Sequence, residues 1–288
     1  MGQQAKAYNT SIKSLKNHPA LFLPFIIFAI LEVITLIIIY LVPQMPLRLV
    51  LGPVIRTFWG ERFLHYPANF LLLPKLASLS RMGLAVIFSS LLSGVAVALV
   101  FAVYNKKQIK FKEAFRAALK KYSSLFIVVL IFTLLFYFLV RLVTIVLVSY
   151  FIAGHSRLLF LKAGLWMGPI LSAINFMLAL LIQSAFVYAI PLLIIEKQKL
   201  IKAVIGSFVL FKKLFIPTLI LVGLPMLVYI PIIVLNSKTA FLIDKVFPEF
   251  VLWVYFFGIV ISSLLIDPIV TVSTTFLYLL NKEQGIGL

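Results

Sequence analysis

The run from Ser123 to Ile152 carries one charged residue, Arg141, in about 30 positions. At about 1.5 Å per residue, a helix of that length outreaches the roughly 30 Å hydrocarbon core of a bilayer, so it tilts or emerges. Runs of this kind recur along the chain, and they decide the class. The composition agrees: 63% of residues are hydrophobic, 12% are charged and the mean hydropathy is +1.16. A soluble domain is about half apolar and about a quarter charged. The runs are continuous and do not alternate, which excludes a β-barrel. The chain is therefore expected to be an all-α polytopic membrane protein.

A net charge of +18 would suggest nucleic acid in a soluble protein. Here Lys and Arg gather in segments beside the apolar runs, where the positive-inside bias explains them, and no nucleic-acid partner is expected. The surplus falls on residues 1–19, 105–122 and 196–213. That pattern puts both termini and these three segments in the cytoplasm, in a plasma (inner) membrane. Cysteine is absent, which leaves no disulfide, thiolate metal site or palmitoylation. The first apolar run is too long for a signal-peptide core and reads as an uncleaved span.

Six spans are expected: 20–42, 82–104, 123–152, 167–195, 214–235 and 250–280. Segment 43–81 is broken by Pro43, Pro46, Pro53, Pro67 and Pro74, and reads as interfacial helices or a re-entrant connection. Small residues at fours in the second span, Ser90, Gly94 and Ala98, allow close helix approach.

Segment 105–122 places Phe111, Ala114, Phe115, Ala118, Leu119 and Tyr122 on one stripe of a 3.6-residue period, with basic residues around it. A helix so one-sided and so basic suits a membrane interface, with its cations at anionic headgroups. The expected headgroup contacts are Lys110, Lys112, Arg116, Lys120 and Lys121. Segment 196–213 repeats the pattern with Ile201, Val204, Ile205, Phe208 and Phe211, adding Lys212 and Lys213, and residues 1–19 echo it weakly. The expected fold is one domain, residues 1–288, of six transmembrane helices in three repeats, each preceded by a basic amphipathic interfacial helix. The units are approximately 1–104, 105–195 and 196–288.

Charges at span depth are costly and face a partner or a watery cavity. Glu32, Arg141 and Asp267 are the candidates for an intramembrane charge cluster, with Arg141 paired to Glu32 or to Asp267. Three readings stand: a structural ion pair, a substrate or proton path, and snorkelling of Arg141 to lipid headgroups. Pro268 is expected to kink the last span. Glu196 opens the basic segment, where a carboxylate caps free amides.

Residues Tyr188–Phe208, YAIPLLIIEKQKLIKAVIGSF, resemble a signature of the membrane domain attached to some glycerophosphodiester phosphodiesterases and of the related YciC-like six-span membrane proteins. Pro191, Glu196, Ala203 and Ser207 occupy the motif positions. The C-terminal TTFLYLLNKEQG is similar to the family's closing pattern, a Tyr at the span exit before a charged tail. Here Leu279, Leu280 and Asn281 stand where a basic residue usually follows that tyrosine. The resemblance implies the six-span fold. The phosphodiesterase chemistry does not transfer, because His18, His65 and His155 are scattered and no carboxylate cluster accompanies them.

No nucleotide loop, nucleophile elbow or metal-ligand pair is present in the sequence, so no catalytic residue, metal or cofactor is expected. The functional expectation is a non-enzymatic integral membrane protein that engages anionic phospholipid at its cytoplasmic face, as a membrane-organising protein or membrane module. It leaves room for a membrane-protein partner or a homo-oligomer. The alternative is a small transporter or lipid translocator using the intramembrane charges.

Overall fold

The computed structural model describes residues 3–108, 110–153 and 157–283. Within them all regular structure is helical, and five helices are long and apolar enough to cross a membrane: 19–41, 69–104, 122–147, 170–194 and 250–283. A sixth crossing is counted if the pair 200–213 and 215–227, bent by 95°, forms one span. His155 lies outside the described residues.

Helix α1 (Gln3–Asn17) turns through Pro19–Phe22 into α2 (Leu23–Leu41), with Pro24 in the first turn, where a missing amide costs nothing. One stripe of α2, Ile26, Ile30, Ile34 and Ile37, faces outward and is exposed. Covering each such side chain is worth about 1.5–3 kcal/mol, which acyl chains supply where water does not.

The second span corrects the expected boundary. After α3 (Leu47–Phe58), helix α4 (Asn69–Leu84) passes through a π-helical turn at Ala85–Ser89 into α5 (Ser90–Tyr104). The continuous helix is 36 residues long. Residues 69–81, read as connection, are thus the first half of a span, and Arg81 lies inside it. Pro74 sits in the second turn of α4 without breaking it.

Lys106 ends α5 in the left-handed region, with φ 53°. Its amide bonds Val103 O and the Lys107 amide bonds Ala102 O, closing the helix carbonyls. The basic helix α6 is consequently shorter than expected, Phe111–Leu119, and a turn at Lys120–Lys121 leads into α7 (Tyr122–Ala153). Ala118 is fully buried and Ala114 nearly so, and Phe111 and Phe115 pack partly against the same core, leaving only Leu119 of that stripe well exposed. A Cβ on Gly94 of α5 would meet Leu125 Cδ1 at 2.7 Å and Ala118 Cβ at 3.2 Å. The small residue there is what lets α6 and α7 dock.

Helix α8 (Arg157–Phe186) begins ten residues before the expected span, and a turn at Val187–Tyr188 separates it from α9 (Ala189–Ile194), which holds Pro191. Lys197 is left-handed at φ 54°. Helix α10 (Leu200–Lys213) buries Ala203 and Ser207, and Ile201, Ile205 and Phe208 face outward. The fifth span is not continuous. Helix α11 (Phe215–Leu227) stops at Val228–Tyr229 and α12 (Ile230–Ser237) restarts, because Pro225 and Pro231 remove successive ladder amides. Helix α13 (Thr239–Lys245) leads to α14 (Phe250–Ile259), a π-helical turn at Val260–Ile266, and α15 (Asp267–Glu283). Pro268 contributes no amide, and the ladder widens in the turn just before it.

The two largest apolar cores form at opposite ends of the bundle. One joins α1, α5, α6, α9, α10 and α15 around Val95, Tyr188, Leu192 and Leu277. The other joins α2, α4, α12, α13 and α14 around Phe70, Leu73, Ile232 and Val254. The charged residues lie between them.

Candidate functional site

Glu32 on α2 is buried, with 3% of its surface exposed. Its partner is Arg81 and not Arg141: Arg81 Nε lies 2.8 Å from Glu32 Oε1. Oε1 accepts no aligned hydrogen bond despite that distance, so the contact is Coulombic. The other carboxylate oxygen is held by Ser263, whose hydroxyl donates to Oε2 at 2.5 Å. Arg81 Nη2 donates to Ser262 Oγ at 2.7 Å. The π-helical turn therefore presents adjacent serines to the two halves of one ion pair.

Asp267 opens α15 immediately after that turn and lies in the field of Arg81 and Glu32. Two of the three residues expected to cluster, Glu32 and Asp267, are brought to one place. Arg141 is not with them. It is exposed on α7, a helix with 6% of its apolar window buried, and it forms no ion pair among the described residues. Arg141 faces outward, whereas Arg81 lies between α2 and the π-helical turn. Hydropathy concealed Arg81 by putting it in a connection.

Three cavities meet at Arg81. The first, of about 320 Å³, is lined by span halves on the side of α1, α6 and α10: Phe28 of α2, Ser93 of α5, Thr133 of α7 and Thr271 of α15. The others, of about 200 and 670 Å³, are lined by the opposite halves: Thr35 of α2, Ser78 of α4, Asn175 of α8 and Asn236 of α12. Arg81 lines all three, and Asp267 and Gln183 line the 320 and 670 Å³ cavities. The amide oxygens of Asn175 and Asn236, both at the largest cavity, are buried without a donor. The ion pair thus lies where cavities lined by opposite halves of the bundle come together.

The motif residues Pro191, Glu196, Ala203 and Ser207 form a second, packed centre. Ser207 Oγ donates to Ala185 O at 2.6 Å and Tyr188 bonds Thr218 at 2.5 Å. Glu196 does not cap α10, whose N-cap is Lys199. It accepts from Tyr278 Oη at 2.8 Å and pairs with Lys282. Lys282 lies one turn beyond Tyr278 on the same helix, so both reach Glu196. The Lys282 bond holds the Glu196 carboxyl below the ordinary carboxylate range against partial burial, and the Tyr278 bond adds to it.

Of the basic residues, Lys110, Lys112, Arg116, Lys120, Lys212 and Lys213 are exposed, and Lys121 donates to Lys197 O at 3.3 Å. Lys110 also pairs with Glu113 at 3.3 Å. Among the described residues no His, Asp and Glu group is arranged to hold a metal. No family model, curated protein or solved structure matches this chain.

Proposed function

We propose that this chain is a multi-pass transporter or translocator whose path crosses the bundle at Arg81. One observation carries the reading: a single guanidinium, paired with Glu32, borders cavities in both halves of the bundle. A structural ion pair needs neither the space nor the polar walls. A path needs both, together with a closed point between them, and broken helices such as α11–α12 commonly line such sites.

The architecture of this proposal is three repeats. Each leading helix buries a small pair at i and i+4: Ala7 and Ser11, Ala114 and Ala118, Ala203 and Ser207. Lys106 and Lys197 take the same left-handed conformation two and three residues after the helices α5 and α9 that precede them. These correspondences support the triplication, and the excess of cations on that side supports cytoplasmic termini in a plasma (inner) membrane.

A second role at the membrane surface rests on α10, where exposed Ile201, Ile205 and Phe208 sit beside exposed Lys212. Such a face suits anionic phospholipid and the membrane-organising function. It is compatible with a path elsewhere in the bundle.

The test uses the natural absence of cysteine. Single cysteines at Thr271, Asn175 and Gln183 are treated with a membrane-impermeant thiol reagent from each side. Thr271→Cys should react from the cytoplasmic side, Asn175→Cys from the other, and Gln183→Cys from both. Inertness of Gln183→Cys from both sides rejects the path.

A further inference from the structure

The charged residues that line the three cavities are Glu32, Arg81 and Asp267. Glu32 and Arg81 offset one another and hold Ser263 and Ser262. Asp267 forms no ion pair or side-chain hydrogen bond among the described residues. With all three ionised, the cavities carry one uncompensated negative charge. An anion entering them meets repulsion in a space of low dielectric, and a cation is attracted.

Asp267 shares the largest cavity with two asparagines, Asn175 and Asn236. The Asp267 carboxylate accepts only, and the amide oxygens of Asn175 and Asn236 are buried acceptors without donors. The Asp267 carboxylate and the carboxamides of Asn175 and Asn236, residues that line this one cavity, suit a ligand rich in N–H donors. The same wall carries Phe136, Phe176 and Tyr229, whose ring faces attract cations and accommodate apolar groups. Its volume, about 670 Å³, suits an organic molecule. A bare divalent metal ion would instead require a tight shell of oxygens, which an aromatic wall does not supply.

We propose that the cavity binds an amphiphile carrying a protonated amine, with Asp267 as counter-ion, Asn175 and Asn236 as acceptors for its N–H groups, and the aromatic wall around its apolar body. The inference rests on the two-sided path proposed above and names what enters it. Asp267 lines the cavities on both sides of Arg81, so the counter-ion remains in reach as the ligand passes.

Monodansylcadaverine, a fluorescent dansyl group on an aliphatic primary amine, is the probe, with the full chain in nanodiscs of neutral lipid. Saturable binding above that of empty nanodiscs is expected. Asp267→Asn should weaken it about tenfold or more, and Asp267→Glu should retain most of it. The N-acetylated probe keeps the aromatic body and loses the charge, and it too should bind about tenfold more weakly to the unaltered protein. Equal binding of the free and acetylated probes, or no saturable binding, overturns the proposal. If Asp267→Asn does not fold, the two probes on the unaltered protein decide the matter alone. Reactivity of Gln183→Cys from both sides without amine binding rejects the ligand and leaves the path. Inertness of Gln183→Cys rejects the path itself.

Discussion

Arg81 Nε lies 2.8 Å from Glu32 Oε1, and each charge offsets the other inside the bundle. Glu32 is the buried partner, its side chain 2% exposed against 37% for Arg81, and leaving a buried carboxylate uncompensated costs about 3–5 kcal/mol. Arg81→Met should therefore melt well below the unaltered protein in detergent, and adding Glu32→Gln should recover part of the loss. Arg141→Met should change the melting temperature little. An Arg141→Met variant as unstable as Arg81→Met contradicts the pairing.

Gly94→Ala tests the docking of α6 and α7. The added methyl meets Leu125 and Ala118, both fully buried, and overpacking of this kind costs about 1–3 kcal/mol. Gly83→Ala meets nothing within 4 Å and serves as the control. Thermal melting of the two variants checks the difference, and equal melting temperatures would show that α6 does not dock as described.

Glu196 should make stability depend on acid. Its folded carboxyl titrates below its unfolded value, so the folded state releases that proton more readily. The resulting stabilisation is complete above the ordinary carboxylate range and is lost as pH falls through the folded value. Melting temperature against pH should fall on the acid side for the unaltered protein and fall less steeply for Glu196→Gln. Parallel curves remove Glu196 from the account.

Replacing Lys110, Lys112, Arg116, Lys120 and Lys121 with Gln should reduce the anionic lipid that co-purifies with the chain, each surface charge being worth about 1 kcal/mol. An unchanged lipid composition would assign these residues to topology alone.

The spans were legible because hydropathy reports depth, and depth is a local property of sequence. Glu32 and Asp267 were legible for the same reason, as charges inside apolar runs. Arg81 was not. Pro67, Pro74, Lys75 and Arg81 lie close together and imitate a loop, yet α4 tolerates Pro74 and Lys75 lies over the Trp59 ring at 5.6 Å. Partner choice was also out of reach, since Arg81 and Arg141 differ in which way their helices face and not in their local sequence. The sequence puts an apolar stripe on the segment of α6, but it does not say whether lipid or protein covers that stripe. Ala114 and Ala118 mark the side where protein does.

The π-helical turn at Val260–Ile266 sets a rotational phase. The Asp267 amide bonds Ser262 O, five residues back, which brings the two side chains closer in phase than an α-helix, advancing about 100° per residue, would, since that would turn them about 140° apart. Arg81 then meets Ser262 on the wall that also carries Asp267. Deleting one residue from the turn, such as Leu264, leaves a span still long enough to cross the bilayer and unwinds this alignment. The last span thus behaves as two screws cut with an offset thread, and the offset, more than any one side chain, decides what faces the cavity.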